Sequence, residues 1–168
     1  MPTNTGPNSL HFLTFNVYRR RRLLDLDQPK RIVLGVLGTM RREIALKCLG
    51  FVIMPNHVHA IIWLPPDQTM RYFMHEWKRR SSYQIREWYA AKAANYFQEF
   101  GFGQRFWQAK YYSFEIDNAR KVEEKLDYMH LNPTRAGLVQ KAVDWQWSSA
   151  RWYLEHRSVG IPIEWVEC

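Results

Sequence analysis

Residues 54–64 read MPNHVHAIIWL and set two histidines, His57 and His59, one residue apart at the start of an apolar run. In a β-strand, residues i and i+2 project from the same face. We therefore expect the two imidazoles side by side, and on the opposite face an apolar row of Val58, Ala60, Ile62 and Leu64. Neutral imidazole is the commonest metal ligand, but two ligands rarely hold a divalent ion, so a metal site needs a third group. Two hydrogen-bonded or exposed histidines would show the same spacing.

The segments around this strand alternate between strand-like and helix-like patterns. Besides the histidine strand, the patterns predict strands at 10–18, 48–54 and 106–116, and helices at 29–47, 69–97 and 118–131. We expect Gly101 and Gly103 to end the second helix, and Asn132-Pro133 to end the third, because the residue before proline disfavours the α region. This order predicts an α+β, ferredoxin-like fold, a split β-α-β-β-α-β antiparallel sheet with an additional C-terminal helix.

The chain of 168 residues is of single-domain size, and no repeat, low-complexity segment or linker divides it. We interpret 1–168 as one domain, with 1–9 as a polar N-terminal arm and about 144–168 as a C-terminal tail. In that tail, DWQWSSARWYL at 144–154 predicts one more helix that its tryptophans fasten to the body.

The charge balance favours a polyanionic partner. There are 24 Lys+Arg against 16 Asp+Glu, a net charge of +8, together with eight Trp, nine Tyr and nine Phe. Basic surface with aromatic rings suits nucleic acid, above all unpaired bases that can stack. The candidate phosphate contacts are two clusters, and solvated charged faces would read the same way: Arg19, Arg20, Arg21 and Arg22, then Lys78, Arg79 and Arg80.

Several protein classes are disfavoured. No apolar stretch resembles a signal peptide or approaches membrane-spanning length, so we expect a soluble cytoplasmic protein with no membrane partner, nucleoid-associated when bound to DNA. Cys48 and Cys168 lie far apart and form no Cys-x-x-Cys pair, so we expect free thiols.

The last predicted helix offers further site candidates. Its apolar stripe is Val122, Leu126 and Met129, while Tyr128 and Asn132 lie off that stripe and neighbour each other at i and i+4. A phenolic nucleophile beside an amide oxygen would complete a His-His-Asn ligand set. Mixed nitrogen and oxygen ligands suit Mg²⁺ or Mn²⁺ when a phosphate adds further oxygens. A boundary aromatic and an ordinary helix stop would fit the same positions.

Four segments together resemble the single-tyrosine HUH transposases. They are NHVHAII at 56–62, FWQAKYY at 106–112, YMHLNPTRAGLV at 128–139 and WQWSSAR at 145–151. The sequence is most similar to the branch associated with repetitive extragenic palindromes, which is related to the insertion-sequence 200/605 transposases. The resemblance covers about residues 10–155.

The resemblance implies roles for individual residues. His57 and His59 would be the metal-binding pair, Tyr128 the nucleophile and Asn132 the third ligand of a Mg or Mn ion. The insertion-sequence relatives typically have glutamine at the last position, so the shorter asparagine puts the reach to the metal in doubt. The implied activity is metal-dependent cleavage and strand transfer of single-stranded DNA at hairpin-forming sequences, through a 5′-phosphotyrosine intermediate. Both a monomer and a homodimer that exchanges the tyrosine helix occur among such relatives.

Two other functions remain open from the sequence. One is a non-catalytic module that grips a DNA or RNA hairpin with a vestigial site, and the other is a metallohydrolase that uses the histidines on water. Tyr111 and Tyr112 are rival nucleophiles, for which we favour core or DNA-stacking roles. His75 and His130 are expected to be surface or structural histidines.

Overall fold

The computed structural model describes residues 9–99 and 104–168. One antiparallel sheet, in the order β2-β3-β1-β4, is formed by β1 (Leu10–Asn16), β2 (Lys47–Ile53), β3 (His57–Trp63) and β4 (Tyr112–Glu115). The helices are α1 (Asp27–Ile44), α2 (Met70–Lys92), α3 (Ala94–Glu99), α4 (Ala119–Arg135) and α5 (Ala150–Glu155), with 3-10 turns at Tyr18–Arg20 and Ala142–Asp144. The order and pairing of the elements confirm the ferredoxin-like α+β arrangement.

The two faces of the sheet bury different helices. On one face, the predicted apolar row of β3 packs with α1 and α2 in the larger core. On the other face, the stripe of Val122, Leu126 and Met129 from α4 packs against Ile61 of β3 and the apolar side chains of β1 and β2. His57 and His59 share this second face with Ile61, since strand side chains alternate. The helix that carries Tyr128 therefore lies over the strand that carries the histidines.

The fourth strand is shorter than the predicted 106–116. Phe106 and Trp107 are buried, and Trp107 forms only an isolated bridge with Val17. The carbonyl groups of Gln108 and Ala109 accept hydrogen bonds from Lys78 Nζ at 2.7 and 3.0 Å. Because these carbonyls face a side chain of α2, the regular ladder with β1 begins only at Tyr112.

The predicted end of helix α4 at Asn132-Pro133 is wrong. The helix continues to Arg135. Gly137 has a φ of 74° and donates to Thr134 O, while Leu138 donates to Pro133 O. These two bonds form a Schellman motif, which ends a helix at a left-handed glycine. Pro133 lacks an N–H but its carbonyl still accepts the hydrogen bond from Leu138 N. The last turn of the helix can therefore include this proline. Asn118 caps the other end, as predicted, through a 2.8 Å bond from Lys121 N.

Other predicted boundaries move by a few residues. Helix α1 ends at Ile44 and not at 47, because Ala45 is left-handed and Lys47 already belongs to β2. The predicted helix 69–97 is divided at Ala93 into α2 and α3. Gly101 and Gly103, and all of the N-terminal arm except Ser9, lie outside the described residues.

The C-terminal tail is fastened by its tryptophans, although its helix is only the short α5. Trp145 Nε1 donates to Ile53 O and Trp147 Nε1 donates to Asp27 Oδ1, both at 3.1 Å. Both rings also lie within 6 Å of the buried Lys30 ammonium. In the ranges 9–99 and 104–168, no helix is both long and apolar enough to cross a membrane.

Candidate active site

A cleft of about 630 Å³ lies between α4 and the sheet face that carries the histidines. Three strands form its floor and α4 forms one wall. Tyr128 and Asn132 of α4 line this cleft together with His57 and His59. Four residues from two segments about 70 positions apart are therefore assembled by packing α4 on the sheet. The other lining residues are Phe12, Thr14, Asn16, Arg20, Tyr112 and Lys125.

The two imidazoles lie side by side with ring centroids 4.8 Å apart. His57 Nδ1 is 2.7 Å from Asn56 Oδ1. Because an amide oxygen only accepts, His57 Nδ1–H must donate, which leaves a lone pair on Nε2. His59 Nδ1 is 2.8 Å from Thr14 Oγ1. Since that hydroxyl can accept as well as donate, the same tautomer is available to His59.

Burial keeps both imidazoles neutral at ordinary pH. It is the largest cause that lowers the pKa of His57 to about 4, followed by the charge of Arg20. Burial also lowers the pKa of His59 to about 3, followed by the charges of His57, Arg20 and Lys125. A neutral imidazole has the free lone pair that metal coordination requires.

The donor set of the cleft fits a divalent metal. His59 Nε2 is buried and has no hydrogen-bond partner among the described residues, although buried polar atoms normally have one. Within the described part of the chain, no group of three or more His, Cys, Asp or Glu could hold a metal ion. The Asn132 amide, a neutral oxygen donor, lies in the same cleft as the histidine pair.

Tyr128 projects into the cleft from α4 and is 44% exposed. Its ring meets His59 edge-on, with centroids 5.5 Å apart. Two cations flank it, with Lys125 Nζ at 5.9 Å and Arg135 Cζ at 5.4 Å from the ring centroid. The phenol is thus open to solvent, next to the histidine pair and surrounded by positive charge.

Sequence reasoning did not find Thr14 or Lys125. Thr14 is brought to His59 by strand pairing, since the two residues face each other across β1 and β3. Lys125 lies one turn before Tyr128, and its ammonium is 4.8 Å from the centroid of Phe12. A cation at i−3 from the tyrosine was the only available signal, and a solvated helix face gives the same spacing.

The predicted basic clusters have different surroundings. Arg20 lines the cleft and donates to Asn16 Oδ1 at 2.8 Å. Arg22 pairs with Asp25, and both Arg19 and Arg21 lie over the Tyr18 ring.

The second basic cluster lies on α2. Arg79 pairs with Glu76, and Arg80 pairs with both Glu76 and Glu43. Lys78 points to the segment before β4.

The remaining candidates have structural or peripheral positions. His130 is buried, with Nε2 2.7 Å from Ser149 Oγ, and His75 is exposed beside Glu76. Tyr112 is 54% exposed and lines the cleft, whereas Tyr111 lines a different groove. Cys48 and Cys168 are free thiols, as expected.

Comparison with known families defines the class of protein. The sequence profile of the family described as "Transposase IS200 like" matches residues 8–132. That range includes the two histidines, Tyr128 and Asn132. The chain belongs to this transposase family, which confirms the resemblance inferred from its motifs.

Particular relatives narrow the assignment. The REP-associated tyrosine transposase of Escherichia coli strain K12 is 24% identical over 158 residues, covering 92% of this chain and 83% of that protein. A solved structure of a REP-associated tyrosine transposase bound to a REP hairpin has a TM-score of 0.72 and 20% identity, covering 100% of this chain and 91% of that chain. Within its family, this chain is therefore similar to REP-associated tyrosine transposases in sequence and in fold.

Proposed function

We propose that this protein cleaves and rejoins single-stranded DNA at hairpin-forming sequences, with Tyr128 as the nucleophile. The observation that carries the proposal is the convergence of Tyr128, Asn132 and the histidine pair on one cleft. Membership of a transposase family supports DNA as the substrate. The hairpin bound to the solved relative supports a folded single strand as its form.

His57, His59 and Asn132 would hold a Mg²⁺ or Mn²⁺ ion in this cleft. The histidines would bind through Nε2 and Asn132 through its amide oxygen. When bound, the ion supplies positive charge that polarises the scissile phosphate and offsets the charge on its oxygens. Thr14 and Asn56 would fix the two rings in the tautomer that leaves Nε2 free.

The chain's own residues carry the transesterification. The Tyr128 oxygen attacks phosphorus and loses its proton to solvent, while the bond to the 3′ oxygen breaks and that oxygen takes a proton from water. The products are a 5′-phosphotyrosine and a free 3′-OH. Lys125 and Arg135, whose charges lie near the Tyr128 ring, would offset the negative charge that develops on the phenol. Since one ester replaces another, a 3′-OH can reverse the step and join strands without ATP.

Replacing Tyr128 with Phe tests the proposal because it removes one oxygen and keeps the ring. The parent and the Tyr128→Phe variant are incubated with single-stranded hairpins and Mn²⁺, then run on a denaturing gel. We expect a covalent adduct and a cut strand only with the parent, and equal hairpin binding by both. Tyr112→Phe is the matched control, since it removes a phenol from the same cleft, and it should still cut.

The other outcomes identify the competing functions. Cutting by Tyr128→Phe would assign the chemistry to water or to another tyrosine. Hairpin binding by the parent with neither cut strand nor adduct would indicate a non-catalytic binding module. Loss of binding in Tyr128→Phe would make Tyr128 a structural residue.

A further inference from the structure

A second groove, of about 810 Å³, lies between α2 and the segment 105–111. Among the described residues, it shares no lining residue with the cleft of Tyr128. None of the described residues that line it is acidic. Its basic side chains are Arg71, Lys78, Arg79, Arg86 and Arg105, and its aromatic ones are Tyr72, Phe106, Trp107 and Tyr111.

Most of these positive charges have no counterion among the described residues. Lys78 and Arg86 donate to backbone carbonyls of the segment 104–109, which satisfies their hydrogen bonds and leaves their charges unneutralised. Among the described residues, Arg71, Lys78, Arg86 and Arg105 form no ion pair. Burial, followed by the charge of Arg105, lowers the pKa of Lys78. Such a set of like charges is complementary to a polyanion.

The segment 18–21 joins this groove to the cleft. Arg20 lines the cleft and Arg105 lines the groove. Between them, the Tyr18 ring has the guanidinium carbons of Arg19, Arg21 and Arg105 at 5.3, 5.6 and 5.8 Å from its centroid. Arg21 also donates to the backbone carbonyl of Arg105. Arginines around Tyr18 therefore lie next to both sites, with Arg20 in the cleft and Arg105 in the groove.

Two residues of this segment have a backbone conformation that is rare outside glycine. Arg19 and Arg20 have φ values of 57° and 56°, in the left-handed region that non-glycine residues rarely adopt. This conformation leaves Arg20 on Asn16 in the cleft, while Tyr18 remains against Arg105. Strain of this kind persists where function or the surrounding structure requires it.

We propose that the groove binds single-stranded DNA that continues from the strand held in the cleft. Its phosphates would lie on Arg71, Lys78, Arg86 and Arg105. Unpaired bases would stack on Tyr72, which is 46% exposed, and on the accessible part of the half-buried Tyr111. An exposed ring such as Tyr72 favours a single strand over a duplex, because duplex bases already stack on each other. The continuation of the strand from the cleft into the groove rests on the proposed function. The affinity of the groove for a single strand does not.

Salt dependence tests the phosphate contacts. Binding is measured from low to moderate salt with a hairpin that carries unpaired flanks, using the parent and a variant with Arg71→Ala and Arg105→Ala. Losing two single-strand phosphate contacts should make the negative slope of log K against log salt shallower by about 1.4. A variant with Arg42→Ala and Arg120→Ala removes the same charge outside both sites. Its slope should therefore differ from the parent's slope by much less than about 1.4. Equal slopes for the two variants would overturn the proposal.

Photocrosslinking tests the location independently of cleavage. The flanks carry 5-iodouracil, the protein carries Tyr128→Phe so that the DNA stays intact, and adducts are mapped by peptide mass spectrometry. We expect adducts on the peptides that contain Tyr72 or Tyr111. Adducts confined to the cleft would overturn the groove assignment while leaving the proposed reaction standing. Flank adducts in the groove combined with no cutting by the parent would support the groove and overturn the reaction.

Discussion

At the scale of single residues, the orientation of the two cleft histidines depends on one neighbour each. Thr14 lies against His59 Nδ1, and Asn56 accepts from His57 Nδ1. Both contacts leave Nε2 for the cleft. Asn56 also reaches the backbone carbonyl of Arg20, at 3.4 Å, so the strained segment 18–21 is linked to the histidine strand.

Thr14→Val removes the hydroxyl and keeps the shape of the side chain. Since His59 then loses the partner that fixes its tautomer, we expect the affinity for Mn²⁺ to fall about 10- to 100-fold. A Mn²⁺ titration of hairpin cleavage measures this change, and high Mn²⁺ should restore the rate. Thr14→Ser is the control, because it keeps the hydroxyl. Equal Mn²⁺ dependence in Thr14→Val and the parent would mean that Thr14 does not orient a ligand.

Lys125→Met removes the ammonium beside Tyr128 and keeps an apolar chain on Phe12. Because a fixed positive charge stabilises the developing phenolate and phosphate charge, we expect the cleavage rate to fall about 10²-fold. Single-turnover rates at saturating hairpin measure the effect. Lys121→Met is the matched control, since Lys121 is one turn away on α4, pairs with Glu124 and does not line the cleft. A rate loss shared by both variants would indicate a general effect of removing positive charge from α4 and no specific role for Lys125.

The site residues predicted from the sequence form two pairs, each close together along the chain, whereas Thr14 reaches the site through a contact between distant segments. His57 and His59, and likewise Tyr128 and Asn132, were paired by the local periods of a strand and a helix. Thr14 could not be found this way, because its contact with His59 depends on which residues of β1 and β3 face each other across 45 positions of sequence. The roles assigned to the paired residues stay predictions.

At the scale of elements, the side chains of α4 pack closely over a glycine on β2. A Cβ on Gly50 would collide with Leu126 Cδ2 of α4 and lie 3.0 Å from Ser149 Oγ. The same Ser149 hydroxyl lies against His130 of α4 and accepts from Phe51 N. The histidine, the serine and the glycine thus hold α4, the tail and β2 together at one point.

Gly50→Ala should therefore push α4 away from the sheet. We expect the free energy of unfolding to fall by about 1–3 kcal/mol, and cleavage to fall more than hairpin binding, since Tyr128 moves relative to the histidines. Denaturant melts and paired binding and cleavage assays measure these changes. Gly35→Ala on α1 is the control, because its Cβ meets nothing within 4 Å, and it should be neutral or stabilising. Unchanged stability in Gly50→Ala would show that the interface adjusts freely.

The elements themselves were largely predictable, and their ends were not. Apolar periodicity placed all four strands and the main helices, because it follows from which face each element buries. The predicted end of α4 was wrong, because a Schellman motif at Gly137 outweighs the tendency of proline to stop a helix. The predicted start of β4 was also wrong, because Lys78 on α2 donates hydrogen bonds to the carbonyl groups of Gln108 and Ala109.

At the scale of the whole molecule, the sheet lies between the larger core and the cleft of the proposed chemistry. The larger core with α1 and α2 lies on one face, and the smaller core with α4 and the cleft lies on the other. The tail crosses between these parts, with Trp145 bonded to the end of β2 and Trp147 to the start of α1. A ligand that joins β3 to α4 would bridge the sheet and its smaller core, so its binding should stabilise the whole fold.

Adding Mn²⁺ should raise the melting temperature if the histidine pair and Asn132 bind it together. At 100 times the dissociation constant, binding to the folded state alone stabilises by about 2.7 kcal/mol. For a chain of this size that corresponds to a shift of about 5–10 °C. We expect the shift with the parent and with Tyr128→Phe, and its loss with His59→Ala. His75→Ala is the matched control, since His75 is an exposed histidine on α2, outside the cleft. A full shift in His59→Ala would place the ion elsewhere and remove the metal from the proposed mechanism.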